Sequence, residues 1–210
     1  MMSARYFIML GPQGSGKGTQ AEKLADYFNV HHVSTGVVFR RHLSEKTKLG
    51  REAKVFLDKG KLVSDKITND MVSDIIETPL YENGIIFDGY PRTISQAKYL
   101  DELLSEYDVI HLELSTEVIM ERLSGRRICP DEHIYHIEFN PPKHTNVCDI
   151  DALPLTQRED DTPDFIEKRL NAYHKQTEPL LKHYEKKRTL HSVNGNQSIE
   201  KVFKDIIKSL

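Results

Sequence analysis

Apolar positions along this chain follow two rhythms. Continuous runs such as Phe7-Ile8-Met9-Leu10 and Ile85-Ile86-Phe87 alternate with stretches where apolar residues recur at helical spacing, as in Ala21, Leu24, Ala25 and Phe28 or Ile67, Met71 and Ile75. Short unbroken runs mark strands buried on both faces, and the longer period marks amphipathic helices. Their alternation predicts an α/β fold, a parallel sheet with helices on both faces. In chain order the pattern predicts a strand over Arg5–Leu10, a helix over Gly18–Phe28 and a short strand at His31–Val33. It then predicts a helix over Asp65–Thr78, capped by Asp65 and stopped by Pro79. A strand over Gly84–Phe87 ends in Asp88, and a helix over Ile94–Leu104 leads to a strand over Val109–Leu114 and a helix from Thr116 to Ser124. A strand at Thr189–Val193 and a helix at Ile199–Ile207 close the chain.

Two segments interrupt the alternation. Residues 34–63 carry two helical patterns, Gly36–Lys46 and Leu49–Lys59, ending at Gly60 with no buried-strand signal between them. Residues 126–161 hold the turn signals Cys129-Pro130, Asn140-Pro141-Pro142 and Leu153-Pro154 around a strand-like Ile134–Phe139, which predicts a small β-rich insertion. Thr162-Pro163 restarts helix, with Thr162 at the cap and Pro163 at the first position, running through Arg169 and His174 and bent near Pro179. The organisation expected is a core made of residues 1–33, 64–125 and 162–210, with insertions 34–63 and 126–161.

Composition narrows the class. At 210 residues the chain suffices for one large core, and a net charge of −3 gives no global field that calls for nucleic acid or a membrane. Two cysteines without a secretory leader point to a reducing cytoplasm. The apolar stretch Tyr6–Leu10 is too short for a signal peptide or a membrane span.

Chemistry concentrates where the first strand meets the first helix. In Gly11-Pro12-Gln13-Gly14-Ser15-Gly16-Lys17-Gly18-Thr19-Gln20 three glycines surround a lysine between an apolar run and a helical pattern. Glycine lets backbone N–H groups turn inward around an anion, the helix N-terminus adds its dipole, and Lys17 adds a point charge for terminal phosphates. The usual hydroxyl directly after the lysine is displaced by Gly18 to Thr19, so it is not assumed to ligate magnesium. Asp88 ends a buried strand where a carboxylate can organise magnesium and its waters, and Arg92 leaves the same strand end. Arg122 and Arg126 stand four apart on one helix face, Arg158 and Arg169 flank the end of the β insertion, and Arg40 lies in the helical insertion. Phosphoryl transfer needs such dispersed positive charge on donor, acceptor and moving group. The scattered His31, His32, His111, His174, His183 and His191 are read as capping, packing or solvent-facing groups.

Gly11–Gln20, Ser34-Thr35-Gly36, Gly60-Lys61-Leu62-Val63, Asp88-Gly89-Tyr90-Pro91-Arg92-Thr93, Gly125-Arg126-Arg127, Tyr135-His136, Asn140-Pro141-Pro142 and Arg158-Glu159-Asp160-Asp161 together resemble the adenylate kinases of the long-lid type, in order over nearly the whole chain. The resemblance implies reversible transfer from MgATP to AMP giving two ADP. In that scheme Gly14, Ser15, Gly16, Lys17, Gly18 and Thr19 cradle the ATP phosphates and Arg122 stacks on the ATP adenine. Arg40 and Arg92, with Gly89 at the strand end, hold the AMP phosphate, and Thr35, the Val63 backbone and Gln96 read its adenine. Arg126, Arg158 and Arg169 clamp the phosphates of both nucleotides, Asp88 organises Mg2+ through water, and Asp160 and Asp161 fix the lid arginines. The helical insertion then closes over AMP and the β insertion over ATP; lid closure in this family is a standard example of such motion.

The chain departs from the family pattern at Val37, where an acid usually follows Ser-Thr-Gly, and at Gln13, where proline is common. Cys129, Cys148 and Asp151 occupy positions where zinc-bearing members place ligands, with His133 as the fourth and Glu132 as its alternative; a metal-free, hydrogen-bonded lid is the competing expectation. A zinc there is structural, since so small a lid needs a staple. The expected protein is a monomer with ATP, AMP and ADP as partners. Its rivals are a kinase for another nucleoside monophosphate, suggested by Val37, and a non-catalytic nucleotide-binding module.

Overall fold

The structure is a computed structural model that describes residues 4–59 and 61–210. Five strands form one parallel sheet: β1 (Arg5–Leu10), β2 (His31–Ser34), β3 (Gly84–Asp88), β4 (Asp108–Glu113) and β7 (Leu190–Asn194), in the order β2-β3-β1-β4-β7. Two further strands, β5 (Arg126–Ile128) and β6 (Ile134–His136), form a separate antiparallel ribbon. The helices are α1 (Lys17–Phe28), α2 (Thr35–Ser44), α3 (Lys48–Leu57), α4 (Asp65–Ile76), α5 (Ile94–Leu103), α6 (Thr116–Ser124), α7 (Pro163–Ala172), α8 (Pro179–Lys187) and α9 (Ile199–Ser209).

The apolar runs exist because the sheet is covered twice. In β1, Phe7 and Met9 face a cluster with Ala21, Leu24, Val202 and Ile206, while Ile8 and Leu10 face the opposite cluster with Leu100, Leu180 and Tyr184. The neighbour β3 splits in the same way, Ile86 to the first side and Ile85 and Phe87 to the second, in a register that pairs Phe7 with Ile86 and Ile8 with Phe87. A strand with both faces buried has no polar position to spare, so alternation disappears. All five strands run parallel, so β1, β2 and β3 present their carboxyl ends, and with them the glycine loop, Ser34 and Asp88, at one edge of the sheet. Ligands in open α/β sheets bind at that edge.

The predicted elements appear with ends shifted by one or two residues in most cases. Three differences have physical causes. Asp65 does not cap α4. Ser64 is the cap residue, and the Asp65 carboxylate accepts from Thr93 Oγ1 at 3.0 Å and Gln96 Nε2 at 2.8 Å, tying α4 to the start of α5. Pro79 stops the α4 pattern by opening a 3-10 turn over Pro79–Tyr81. The bend expected near Pro179 begins earlier, in a π-helical turn over Tyr173–Thr177 closed by Glu178 N–H donating to Tyr173 O at 2.9 Å. Pro179 has no N–H with which to continue the α ladder, and the wider turn absorbs the break. The stop expected at Gly60 lies outside the described residues.

Leu24 is fully buried between α1 and the sheet. Leu24→Ala is expected to lower unfolding stability by about 2–5 kcal/mol, whereas Val55→Ala, at a position 58% exposed, shifts it by less than about 0.5 kcal/mol. Chemical denaturation of the two variants checks the contrast.

Candidate active site

The loop after β1 closes on itself before α1 begins. Gly16, at the helix cap, has φ 91°, a left-handed conformation that costs glycine nothing. Lys17 Nζ donates to Gly11 O and Pro12 O, both at 2.7 Å, so the ammonium lies folded over the loop. Gln13 leaves the loop sideways and donates from Nε2 to Ile166 O of α7 at 3.0 Å. Burial lowers the Lys17 ammonium to about 8, with Asp88 opposing and Arg92, Arg169 and Arg126 adding to the shift.

Asp88 stands beside this loop. A side chain placed on Gly18 would bring its Cβ to 3.6 Å from Asp88 Oδ2, so the absence of a Cβ leaves the carboxylate open toward the loop. Burial pushes the Asp88 carboxyl up, but His32 and the charges of Lys17 and Arg92 outweigh it and hold the group below its ordinary range. His32 Nε2 lies 3.7 Å from Asp88 Oδ2, beyond hydrogen-bond reach, and has no partner among the described residues. Gly89, at φ 83°, turns the chain so that its carbonyl accepts from Arg92 Nε at 2.7 Å and Thr35 Oγ1 at 2.9 Å. Thr177, from the π turn, donates to Arg92 O at 3.0 Å.

Lys17 and six arginines (Arg40, Arg92, Arg122, Arg126, Arg158 and Arg169) line one cleft of 1490 Å3. A pocket for a single small ligand is about 300–1,000 Å3, so this one has room for two. The guanidinium groups are held apart by acceptors. Arg126 Nε donates to Asp161 Oδ2 at 2.8 Å, and Arg169 NH1 donates to Asp160 Oδ2 at 2.9 Å. Arg122 NH2 donates to Gly195 O at 2.9 Å, and its guanidinium lies 6.0 Å from the Phe139 ring. Arg40 and Arg158 both donate to Glu132, at 2.6–2.8 Å and 2.7 Å. Burial, then the charges of Arg126 and Arg40, pull Arg158 down to about 10, and its buried Nε has no partner among the described residues. Asp88, Glu132 and Asp160 line the same cleft, so most of its cations are paired within the protein.

In the β insertion, one ligand atom each from Cys129, His133, Cys148 and Asp151 lies within 4.8 Å of the other three. His133 Nδ1 is 2.9 Å from Asp151 Oδ2 and 3.3 Å from Cys129 Sγ. Glu132 does not join them; its carboxylate turns to Arg40 and Arg158, and His133 is the residue that enters the cluster. The Tyr135 hydroxyl accepts from Asp149 N–H at 2.8 Å and lies 3.6 Å from Cys148 Sγ, bracing one corner.

Of the residues expected to touch nucleotide, the glycine loop, Asp88, Gly89 and the arginines line the cleft. Thr35, Val63 and Gln96 do not. They are buried behind its wall, and the Gln96 amide is occupied by Asp65 on one side and Arg92 N–H, at 2.7 Å, on the other. The residues that sequence reasoning overlooked are His32, set aside with the other histidines, and Glu132 in its pairing with two arginines. The place of His32, two residues before the end of β2, was the available signal.

Glycine loop, strand-end carboxylate and paired arginines meet at the carboxyl edge of a parallel sheet, in a space sized for two anionic ligands. The class so defined is the nucleoside monophosphate kinases, phosphotransferases built on the P-loop fold. Comparison with known proteins specifies the branch: the family model for adenylate kinase matches residues 9–189, and the chain belongs to the adenylate kinase family. It is 46% identical over 209 residues to the adenylate kinase of Thermoanaerobacter sp. (strain X514), covering 97% of this chain and 96% of that one. It is 46% identical over 209 residues to the adenylate kinase of Caldanaerobacter subterraneus subsp. tengcongensis, with 97% and 95% covered. Against that of Clostridium perfringens (strain SM101 / Type A) the identity is 43%, with 97% of each chain covered. Adenylate kinase function follows, and the family implies ATP, AMP and ADP as substrates.

The lowered Lys17 group has a measurable consequence. In the unfolded chain a lysine titrates near ~10.4, so between about pH 8 and 10 the unfolded state binds more protons. The cost of the buried charge is therefore fully present below pH 8 and is relieved as pH rises through that window. A phosphate beside Lys17 would favour the charged form and restore it. At pH 8.5, ATP binding is expected to take up about 0.5–0.8 proton more in this protein than in Lys17→Arg, which cannot lose its charge. Calorimetry in buffers of different ionisation enthalpy measures the difference; equal uptake would show that the ammonium is not perturbed.

Proposed function

We propose that the cleft holds MgATP against the glycine loop and AMP against Arg40 and Arg92, and that the γ-phosphoryl group passes directly between them to give two ADP. The observation that carries this reading is the convergence of Lys17 and six arginines on one cleft with room for two nucleotides. The acceptor phosphate is already anionic and needs no general base. The work left to the protein is to hold two polyanions together, align the oxygens and exclude water.

In this division of labour the Gly14–Thr19 backbone and Lys17 hold the donor phosphates, and Arg122 with the nearby Phe139 ring accommodates the donor base. Arg126, Arg158 and Arg169 surround the transferring group, whose charge spreads over three oxygens in the transition state. Residues 34–63 cover the acceptor and residues 126–161 the donor. Thr35, Val63 and Gln96 contact the acceptor adenine only after the helical insertion shifts, because they lie behind the wall of the cleft. Asp88 suits magnesium held through water: it is ionised, open toward Gly18 and beside the loop. Bound with ATP, Mg2+ neutralises charge on the β- and γ-phosphates.

The lid cluster suits zinc. Two thiols, an imidazole and a carboxylate form a donor set that zinc takes in tetrahedral sites, and the lid's own apolar cluster is only Cys129, Tyr135, Cys148, Leu155 and Leu153. We assign it a structural role, since the cluster faces the lid interior and contributes nothing to the phosphate cleft. The two cysteines are free, which suits a reducing cytoplasm.

Lys17→Met is expected to lower kcat by about 10²–10³-fold with little change in melting temperature. With ATP as donor, turnover on AMP is expected to exceed that on CMP, UMP or GMP; Val37 lines the acceptor end, so a faster pyrimidine or guanine acceptor would reassign the substrate. Elemental analysis of protein purified without added metal is expected to give about one zinc per chain, lost in Cys148→Ser together with several degrees of melting temperature. Metal-free protein with an unshifted chelator melt would instead establish a polar-network lid.

A further inference from the structure

Glu132 sits in the connection between β5 and β6 and reaches out of the lid to the helical insertion. Its backbone has φ 66°, a region that glutamate rarely adopts, and its side chain is 18% exposed. The carboxylate receives Arg40 as a fork, Nε to Oε1 at 2.6 Å and NH2 to Oε2 at 2.8 Å, and Oε2 also accepts from Arg158 NH2 at 2.7 Å. This is the geometry with which arginines hold carboxylates and phosphates alike.

The match is incomplete in an informative way. Two carboxylate oxygens are both used on Arg40, so Arg158 gains one shared bond, and its buried Nε–H finds no partner among the described residues. One negative charge faces two guanidinium groups. A phosphate offers three terminal oxygens and up to two charges, enough to complete the set that Glu132 leaves short.

We propose that Glu132 is an internal competitor of the acceptor phosphate, a carboxylate that occupies the anion seat between Arg40 and Arg158 until AMP displaces it. The proposal rests on the reading of Arg40 as an acceptor-phosphate ligand. It makes Glu132 a determinant of acceptor affinity. The arriving phosphate takes Arg40, and the same exchange releases the strap between the lid and the helical insertion. Since AMP binds only the fraction of molecules whose seat is free, its apparent Kd is raised by the reciprocal of that free fraction. ADP formed in that seat is weakened likewise, which favours its departure.

Direct titration with AMP, in the absence of ATP, tests the assignment on four proteins: the natural chain, Glu132→Gln, Arg40→Gln and the double variant, with Glu138→Gln as a control for loss of one lid charge. Glu132→Gln is expected to bind AMP about 3- to 10-fold more tightly, with KM for AMP falling in parallel and the control unchanged. Arg40→Gln is expected to bind AMP more weakly, and in that background removal of the Glu132 charge is expected to gain less than about twofold. If Arg40→Gln weakens AMP but Glu132→Gln binds it equally or less well, the carboxylate is a positioning group or a bystander, and the competitor assignment falls alone. If Arg40→Gln leaves AMP affinity intact, the acceptor seat itself is misplaced, and both readings fall.

Discussion

Like charges gathered in one largely buried cleft are the constraint to which this structure answers. Lys17 and six arginines face one cleft, and burial together with their mutual repulsion lowers Lys17 to about 8 and Arg158 to about 10. Such an array is stable only if each cation has an acceptor, and the fold supplies them from every side. Main-chain carbonyls of Gly11 and Pro12 serve Lys17, Gly89 O serves Arg92 and Gly195 O serves Arg122. Asp160, Asp161 and Glu132 serve the rest. The set is one short: the buried Nε–H of Arg158 has no partner among the described residues. Preorganised dipoles and charges that wait for a developing anion are the largest common source of catalytic power.

The sheet makes that tension tolerable. A five-stranded parallel sheet buried on both faces fixes the carboxyl ends of β1 and β3 side by side, with Met9 paired to Asp88. Loop and carboxylate therefore cannot drift apart when their surroundings repel. The two insertions have little core of their own: the lid's apolar cluster is five residues, two of them its cysteines, and α2 and α3 pack chiefly on each other. The molecule thus joins a stiff base to two weakly anchored covers, the arrangement from which moving elements are drawn.

Much of this was legible in the residues. The unbroken runs around Ile8 and Ile86 read as strands buried on both faces, and the glycine loop read as an anion cradle because a strand pattern precedes it and a helical one follows. The arginines were legible as a group because their spacing put them at insertion boundaries. Pairings across the cleft were not legible, because they depend on how far the covers lie over the core. Glu132 keeps the two-residue ligand spacing after Cys129 and His133 is the better zinc donor, and only the turn geometry separates the residue that enters the cluster from the one that leaves it. His32 was indistinguishable in sequence from five other scattered histidines; its meaning comes from a neighbouring strand. Gln96 was expected at a nucleotide base, and its amide is instead bonded to Asp65 and to the backbone of Arg92.

The π turn at Tyr173–Thr177 works as a phase shifter between two halves of one long helical run. An α-helix advances about 100° per residue, so the extra residue accommodated by a wide turn rotates everything beyond it by about that angle. Upstream, α7 aims Arg169 into the cleft; downstream, α8 turns Leu180 and Tyr184 into the core. A straight helix through the same residues could not satisfy both, since the arginine and the apolar pair would come out of step. Loss of one residue anywhere in that turn would leave the composition almost unchanged and yet force a choice between the charge in the cleft and the packing beneath it.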